Sequence, residues 1–489
     1  MTKVLESLHS FVWGVPTLVL IIGVGMYLTL KTRFAQIRLL PRALGEFFRK
    51  LRSRPVEDGA VSPFQALCTA LAATVGTGNL VGVAGAICIG GPGAVFWMWI
   101  CGILGMATKL AEATMAVRWR VREKGEYVGG PMYMISRGMG EKWRPMACLY
   151  SFFGMIAAFG VGNATQINAV ITGINGVLTR FGGIQTRQGN LIMGIVLAVL
   201  VGTMLLGGAR RIGHAAEKLV PFASVGYILL CVGVLMVRFD AVPAAISMIL
   251  RGAFSPEAVT GGMVGSMFRV LRVGCSRGVF TNEAGMGTAS IAHASAQVSH
   301  PAEQGLMGIL EVFLDTIFMC TLTALAILVS GIDIPFGLDA GGKLTVAAFT
   351  AVYGDWAAVF IAAALCCFAF ATVLGWGLYG VRCAQFLFGP GSGRYFALLQ
   401  TLTVVLSAVL ETGTVWLLAE IVNGLMAVPN LIALAFLSQD FFKLVIEYER
   451  KSGSGPVEVH YADFNQRKPL RALSHAEIPS PRSGGKKQG

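Results

Sequence analysis

The sequence predicts an all-α integral membrane protein of about eleven transmembrane helices. They form a five-plus-five inverted repeat with two broken helices, plus one extra helix at the N-terminus. Three observations lead there. Of 489 residues, 55% are hydrophobic and only 13% charged, with a mean hydropathy of +0.67, whereas ordinary soluble domains carry about 25% charged residues. Apolar runs near the roughly 20 residues that cross a bilayer recur along the whole chain. Two of these runs, one in each half, are interrupted by small and polar residues: Thr69–Gly93, TALAATVGTGNLVGVAGAICIGGPG, and Arg277–Gly287, RGVFTNEAGMG.

The interruptions carry the functional information. Non-helical backbone at membrane depth is tolerated only where it is buried in protein or lines a cavity, because hydrocarbon offers amides and carbonyls no partner. A glycine-rich helix that merely packs closely against a neighbour is the bland explanation of either segment alone. A matched pair, one per half, points to an inverted-repeat transporter with its site between the halves.

Composition excludes other classes. Glycine supplies 62 residues, well above the ~7% average, as closely packed and broken membrane helices require. The net charge of +13 has no basic, aromatic-interleaved soluble domain behind it that could serve as a nucleic-acid face. Ten cysteines are scattered through apolar segments without a CxxC pair, so neither a disulfide framework nor a zinc site is indicated, and the histidines sit mostly in loops or near predicted helix ends. An intramembrane enzyme would need a nucleophile with its base, or a His/Asp cluster, near one interface; none stands out.

In chain order the spans are expected near 11–30, 64–89, 94–117, 146–178, 189–207, 216–237, 261–290, 304–330, 355–388, 395–412 and 415–446. The first is too long for a signal-peptide core and is followed by a basic loop rather than a cleavage site, so it reads as a retained helix. Trp97, Trp99, Trp356 and Trp416 fall near predicted ends, as an interfacial belt places them. Lysine and arginine crowd the loops 31–62 and 118–145, recur at Arg210, Arg211 and Lys218, and enrich the tail, whereas 331–354 has Lys343 alone beside Asp333 and Asp339. With an odd number of spans this places the N-terminus outside and the C-terminus in the cytoplasm of a plasma or inner membrane protein. The resulting division is 1–30 for the extra helix, 31–62 for a basic cytoplasmic loop, 63–240 and 241–448 for the two repeats, and 449–489 for a basic disordered tail. Within the loop, Leu39–Leu51 spaces Leu40, Leu44, Phe47, Phe48 and Leu51 on one helical face, an amphipathic interfacial helix or a plain connector.

Half-helix ends at the breaks supply donors for a carboxylate and acceptors for an ammonium or a sodium ion without charged side chains. Gly76 and Gly78 allow close approach to the backbone, the carbonyls near Ala73–Val75 are free, and Phe280, Thr281 and Asn282 mark the second break. In the fourth span the polar cluster Gly162–Asn168 brings Gln166, which could bond substrate or unwound backbone. Thr372 and Trp376, four apart on one helical face, suit an ion ligand and a lid, or equally a packed ring and a hydroxyl bonded to its own helix. Glu283 at the second break is a functional suspect as an intramembrane acid, with bonding of the freed amides as its structural role. Lys109 and Glu112, three apart, read as an ion pair; Glu311 and Asp315 share a helix face, and Asp315 is placed to approach an ion.

The runs SPFQALCTALAATVGTGNLVGVAGAICIGGPGAVFWMW, GMATKLAEA, GNATQINA, RGVFTNEAGMGTASIAHA, HPAEQGLMG, FAFATVLGWGLYG and NGLMAVPNLIAL resemble the alanine/glycine:cation symporter family, the sodium:alanine symporters, from about Ser62 to Leu437. The resemblance implies a leucine-transporter-type fold and secondary active symport of alanine or glycine with sodium, or with protons; it implies no enzyme activity and no cofactor beyond the co-transported sodium ion. By the same resemblance Thr77, Gly78, Asn79, Gln166, Phe280, Thr281 and Trp376 contact substrate. The resemblance likewise implies sodium between the Ala72 and Val75 carbonyls and Thr372, with a second ion position at Asn79 and Thr281. A proton-coupled or uncoupled carrier on the same scaffold is the alternative. The chain departs from the family pattern at Leu378-Tyr379 and Val381, at Ser290 in place of a usual proline, and at Leu417 and Glu420, mostly off the implied site.

Overall fold

The computed structural model describes residues 2–51, 61–123, 125–338, 341–409 and 413–452. The tail from residue 453 on, residues 52–60, Asp339 and the side chains of Trp416 and Leu417 lie outside the described residues. Those described are almost entirely helical, with a small antiparallel ribbon pairing Val121–Glu123 with Glu126–Val128.

Among the described residues seven helices are long and apolar enough to cross a bilayer: Ser7–Lys31, Ala94–Arg118, Glu141–Arg180, Arg187–Leu205, Gly208–Val237, Pro301–Val329 and Ala357–Phe388. Two bent pairs raise the number to as many as 9: Pro63–Thr74 with Gly78–Gly90, bent by 48°, and Glu420–Phe436 with Ser438–Lys451, bent by 63°. The expected spans 261–290 and 395–412 are helical, as Met267–Asn282 with Thr288–His293 and as Ser392–Val409, but the first falls short in length and the second in apolarity. The last expected span, 415–446, ends at Phe436. Beyond it the chain turns into the amphipathic helix Ser438–Ser452, whose charged residues suit a surface and not hydrocarbon. Stretches expected as loops hold helices too, Val242–Phe254 and Gly341–Tyr353.

Each broken span has a local cause. Ser62 starts Pro63–Thr74 with a capping box, its hydroxyl accepting from Gln65 N while Gln65 Oε1 accepts from Ser62 N, both at 3.1 Å; this satisfies two amides that no helix turn can reach. The helix ends where Val75 becomes extended, with ψ 101°, and resumes through a π-helical turn, Gly78–Gly82. Met267–Asn282 ends at Glu283 in a left-handed conformation, φ 54°, followed by Gly285 at φ 96° and Gly287 at φ 76°. At Gly287 a Cβ would also stand 2.6 Å from Asn430 Oδ1 and 2.4 Å from a Pro131 ring carbon. Two further π turns, Gly160–Ala164 and Phe313–Cys320, interrupt the spans facing these breaks, each widening the helix by one residue where it meets the site.

Ala94–Arg118 lies at the centre, with all of Met106–Val117 buried. Lys109 does not pair with Glu112. Its ammonium donates to Glu311 Oε1 at 2.8 Å, both side chains fully buried, and Glu311 Oε2 lies 2.9 Å from His293 Nε2. His293, the last residue of Thr288–His293 and fully buried, has Gln304 Nε2 2.8 Å from its Nδ1, so the amide donates to Nδ1 and the proton on Nε2 faces Glu311. Sequence proximity fails here because a helix neighbour three residues away competes with partners on facing helices. The segment Leu40–Lys50 is an amphipathic helix docked on protein: Ala43 is buried, Phe47 packs edge-on against Phe64 at 5.8 Å, and Lys50 pairs with Glu303 at 2.7 Å.

Lys109→Met removes one partner of a fully buried pair and is expected to cost about 3–5 kcal/mol. The thermal midpoint of the detergent-solubilised protein should fall sharply, and the double change Lys109→Met with Glu311→Leu should recover most of the loss.

Candidate substrate and ion site

At the first break Asn79, fully buried, stands where backbone donors have lost their partners. Its Oδ1 accepts from Gly76 N at 2.9 Å, and its Nδ2 donates to Asp315 Oδ1 at 2.8 Å and to Asp315 O at 3.1 Å. Asp315 thus approaches the first break through Asn79, and its Oδ2 accepts from Thr316. Beside it Thr372 Oγ1 lies 2.9 Å from Ala72 O and 3.0 Å from Phe368 O. A Cβ on Gly76 would stand 2.7 Å from that hydroxyl, so Thr372 packs directly on the unwound turn.

At the second break the freed amides go to Glu112. Its Oε1 accepts from Gly285 N at 2.9 Å, Gly287 N at 3.0 Å and Asn430 Nδ2 at 2.7 Å, and Asn430 Nδ2 also donates to Gly285 O. Glu283, expected to take those amides, instead accepts from Trp376 Nε1 at 3.0 Å and from Thr288 Oγ1 at 2.5 Å. Its left-handed backbone turns the carboxylate away from the amides that follow it.

Two cavities share Thr77 and Val81 in their lining. The larger, of about 1030 Å³, runs from Thr77 and Thr165 past Asn168 and Thr172 to Arg180, Lys343 and Thr350. The smaller, of about 100 Å³, is lined by Thr77, Gly78, Val81, Gly82, Gly85, Arg277 and Phe280. Thr77, Gly78 and Phe280 therefore converge, as their sequence positions imply. Gln166 donates to Thr77 Oγ1 at 3.3 Å and to Val161 O at 3.2 Å, while its Oε1, buried beside Gly76, has no protein partner among the described residues. The hydroxyl of Thr281 donates to Arg277 O at 2.8 Å, so the Asn79 and Thr281 polar groups each bond elsewhere and not to one another. Trp376 is fully buried and is not among the residues that line either cavity. Ala72 and Thr372 come together at the turn, and Val75 is the extended residue that follows the first half-helix. Sequence reasoning missed Arg277 and the Glu112–Asn430 clamp; an arginine inside an apolar span was the available signal for the first.

Residues 1–462 match the family model described as the sodium:alanine symporter family. The chain belongs to that family. A Methanococcus maripaludis protein named sodium/alanine symporter AgcS is 41% identical over 441 residues, covering 89% of this chain and 94% of its own. A Bacillus subtilis protein named putative sodium/proton-dependent alanine carrier protein YrbD is 35% identical over 473 residues, covering 93% and 94%. Among solved structures, MhsT in complex with L-phenylalanine aligns with a TM-score of 0.54 at 14% identity, over 79% of this chain and 98% of its own, a likeness of fold. Family membership and the apolar helices together make this chain a multi-pass membrane transporter and not an enzyme.

The contact between Gly162 and Trp376 gives a test of how tightly this family member is packed. A Cβ on Gly162 would fall 2.2 Å from Trp376 Cβ, whereas one on Gly176, on the same long span, meets nothing within 4 Å. Gly162→Ala is expected to destabilise by about 1–3 kcal/mol, and Gly176→Ala to be neutral or stabilising by up to about 1 kcal/mol, read from thermal midpoints in one detergent.

Proposed function

We propose that this protein imports small neutral amino acids, alanine and glycine, together with sodium, by alternating access. The observation that carries the reading is the meeting of the Thr372 hydroxyl and the Ala72 carbonyl on the unwound turn whose next residues, Thr77 and Gly78, face the cavities. Sodium is a hard cation that takes hydroxyl and carbonyl oxygens by the same logic as calcium, and Thr372 with Ala72 and Val75 would supply them. A bound ion would hold the turn in the shape that presents Thr77, Gly78 and the half-helix end to the substrate carboxylate. Gln166, bonded to Thr77 and holding a spare oxygen, is suited to the ammonium. Asn79 and Thr281 are the second ion position in this reading. Trp376, which touches Glu283 and sits behind Gly162, would act from beneath the site, as part of the barrier that the cycle opens.

The architecture that fits is the five-plus-five inverted repeat, 63–240 and 241–448, behind an extra first helix, with about eleven spans in all. The basic loops then face the cytoplasm, the N-terminus lies outside, and the larger cavity, ending at Arg180 and Lys343, opens outward. A proton-coupled carrier is the second reading, favoured by the name of the Bacillus relative.

Uptake of labelled alanine into proteoliposomes, at fixed pH with and without an inward sodium gradient, tests this. Accumulation only with the gradient is expected, and uptake indifferent to sodium would favour the proton reading. Thr372→Val should raise the sodium concentration for half-maximal uptake by about tenfold or more, since a hydrogen bond to a charged group contributes about 1.5–3 kcal/mol, while Thr372→Ser should stay near wild type.

A further inference from the structure

Among the described residues the buried acids are Glu112, Glu283, Glu311 and Asp315. Lys109 balances one of them through its pair with Glu311. His293 adds no charge, since its Nδ1 accepts from Gln304 and its single proton faces Glu311. An uncompensated charge at this depth is costly, so each remaining acid needs donors, a cation or a proton.

Three of these acids have a donor on each oxygen. Glu311 Oε1 accepts from Lys109, and its Oε2 faces the His293 proton. Glu283 Oε1 accepts from Trp376 and its Oε2 from Thr288. Asp315 Oδ1 accepts from Asn79 and its Oδ2 from Thr316. Glu112 is the exception. Gly285 N, Gly287 N and Asn430 Nδ2 all converge on its Oε1, while its Oε2 is buried with no donor among the described residues. An ionised carboxyl group offers two acceptor oxygens, a protonated one an acceptor and an O–H donor. Three donors on one oxygen and none on the other fit the second form.

Asn430 has the complementary defect. Its Nδ2 donates to Glu112 Oε1 at 2.7 Å and to Gly285 O at 2.9 Å, which uses both amide hydrogens. The carbonyl of Gly285 can only accept, so the amide cannot be turned over. Its Oδ1, buried beside Gly287, has no donor among the described residues. Two planar groups joined at one pair of atoms each leave an unsatisfied acceptor, and a single hydrogen between them satisfies both.

We propose that Glu112 is a proton-binding site, holding on Oε2 a proton that it donates to Asn430 Oδ1, so that a cyclic acid–amide pair closes the second break. Oε1 is then the carbonyl oxygen that keeps the Gly285 and Gly287 amides. Loss of the proton would leave an anionic oxygen and the Asn430 carbonyl without a donor, and the loop after Glu283 would lose half of its clamp. Lys109, Glu311 and Tyr150 are titratable groups that interact with Glu112. Lys109 donates to Glu311 and the Tyr150 hydroxyl to Met286 O, so neither supplies Oε2.

Infrared spectroscopy of the full-length protein in one detergent, at neutral pH, tests this. The wild-type protein should show the carbonyl band of a protonated carboxyl group, shifted on transfer to deuterium oxide. Glu112→Gln keeps the acceptor and puts an N–H donor in place of the O–H, so the band should be lost while the thermal midpoint stays near wild type. Glu112→Met, with neither group, should lower the midpoint sharply. A wild-type protein without the band, as a sodium ion or a water between the two oxygens would leave it, overturns the proposal. A band that survives Glu112→Gln overturns it as well, since the proton then sits elsewhere. If Glu112→Gln does not fold, Asn430→Ala decides: the band should shift or disappear once the acceptor of the proton is removed, and an unmoved band removes the assignment.

Discussion

The carboxylate of Glu112 holds the second break together, and the constraint behind it governs the whole molecule. Hydrocarbon provides no water for a freed amide, so each departure from the helix needs a protein partner at the same depth. Glu112 receives Gly285 N and Gly287 N on one oxygen and ties both to Asn430. Asn79 does the corresponding work at the first break with its own side-chain oxygen, and Asp315 fixes the amide that carries it. Each unwound turn is thereby as well defined as the neighbouring helices that supply its partner.

The two arrangements are joined. Lys109 and Glu112 lie on one face of Ala94–Arg118, three residues apart. One engages Glu311 in Pro301–Val312, and through it His293; the other engages the loop that leads from Asn282 to Thr288. Asp315, four residues beyond Glu311, reaches the first break. A displacement of the central helix relative to Pro301–Val329 would therefore disturb both unwound turns together. Packed interfaces with discrete arrangements are the kind of element through which two distant segments can be displaced together.

Much of this was legible in the chain. Gly76-Thr77-Gly78-Asn79 and the run RGVFTNEAGMG stand out because small and polar residues inside an apolar span have few bland explanations, and Thr77, Gly78 and Phe280 do share a cavity. Thr372 shows where spacing was informative but incomplete. It does bond its own helix at Phe368 O, and it also reaches Ala72, 300 residues away in sequence. Trp376, on the same face, turns to Glu283 instead of to the cavities. Partners drawn from distant helices were not legible, since Lys109 and Glu112 look complementary until packing brings Glu311 and the glycine amides closer. The helices Val242–Phe254 and Gly341–Tyr353 escaped because they are too short to span and hydropathy alone does not separate them from loops. The bend after Phe436 escaped because the apolar residues of Ser438–Ser452 continue the pattern of the span before it.

The widened turn at Gly160–Ala164 ends immediately before Thr165 and Gln166, which reach the cavity wall and Thr77. An ordinary helix advances by about 100° per residue, so loss of a single residue from that turn would rotate everything after it by about that angle. Gln166 would then move to the position of Thr165 on the wall of the larger cavity, and the apolar Ile167 would move to the place it left beside Thr77. Length at this point decides which side chain meets Thr77 as much as composition does.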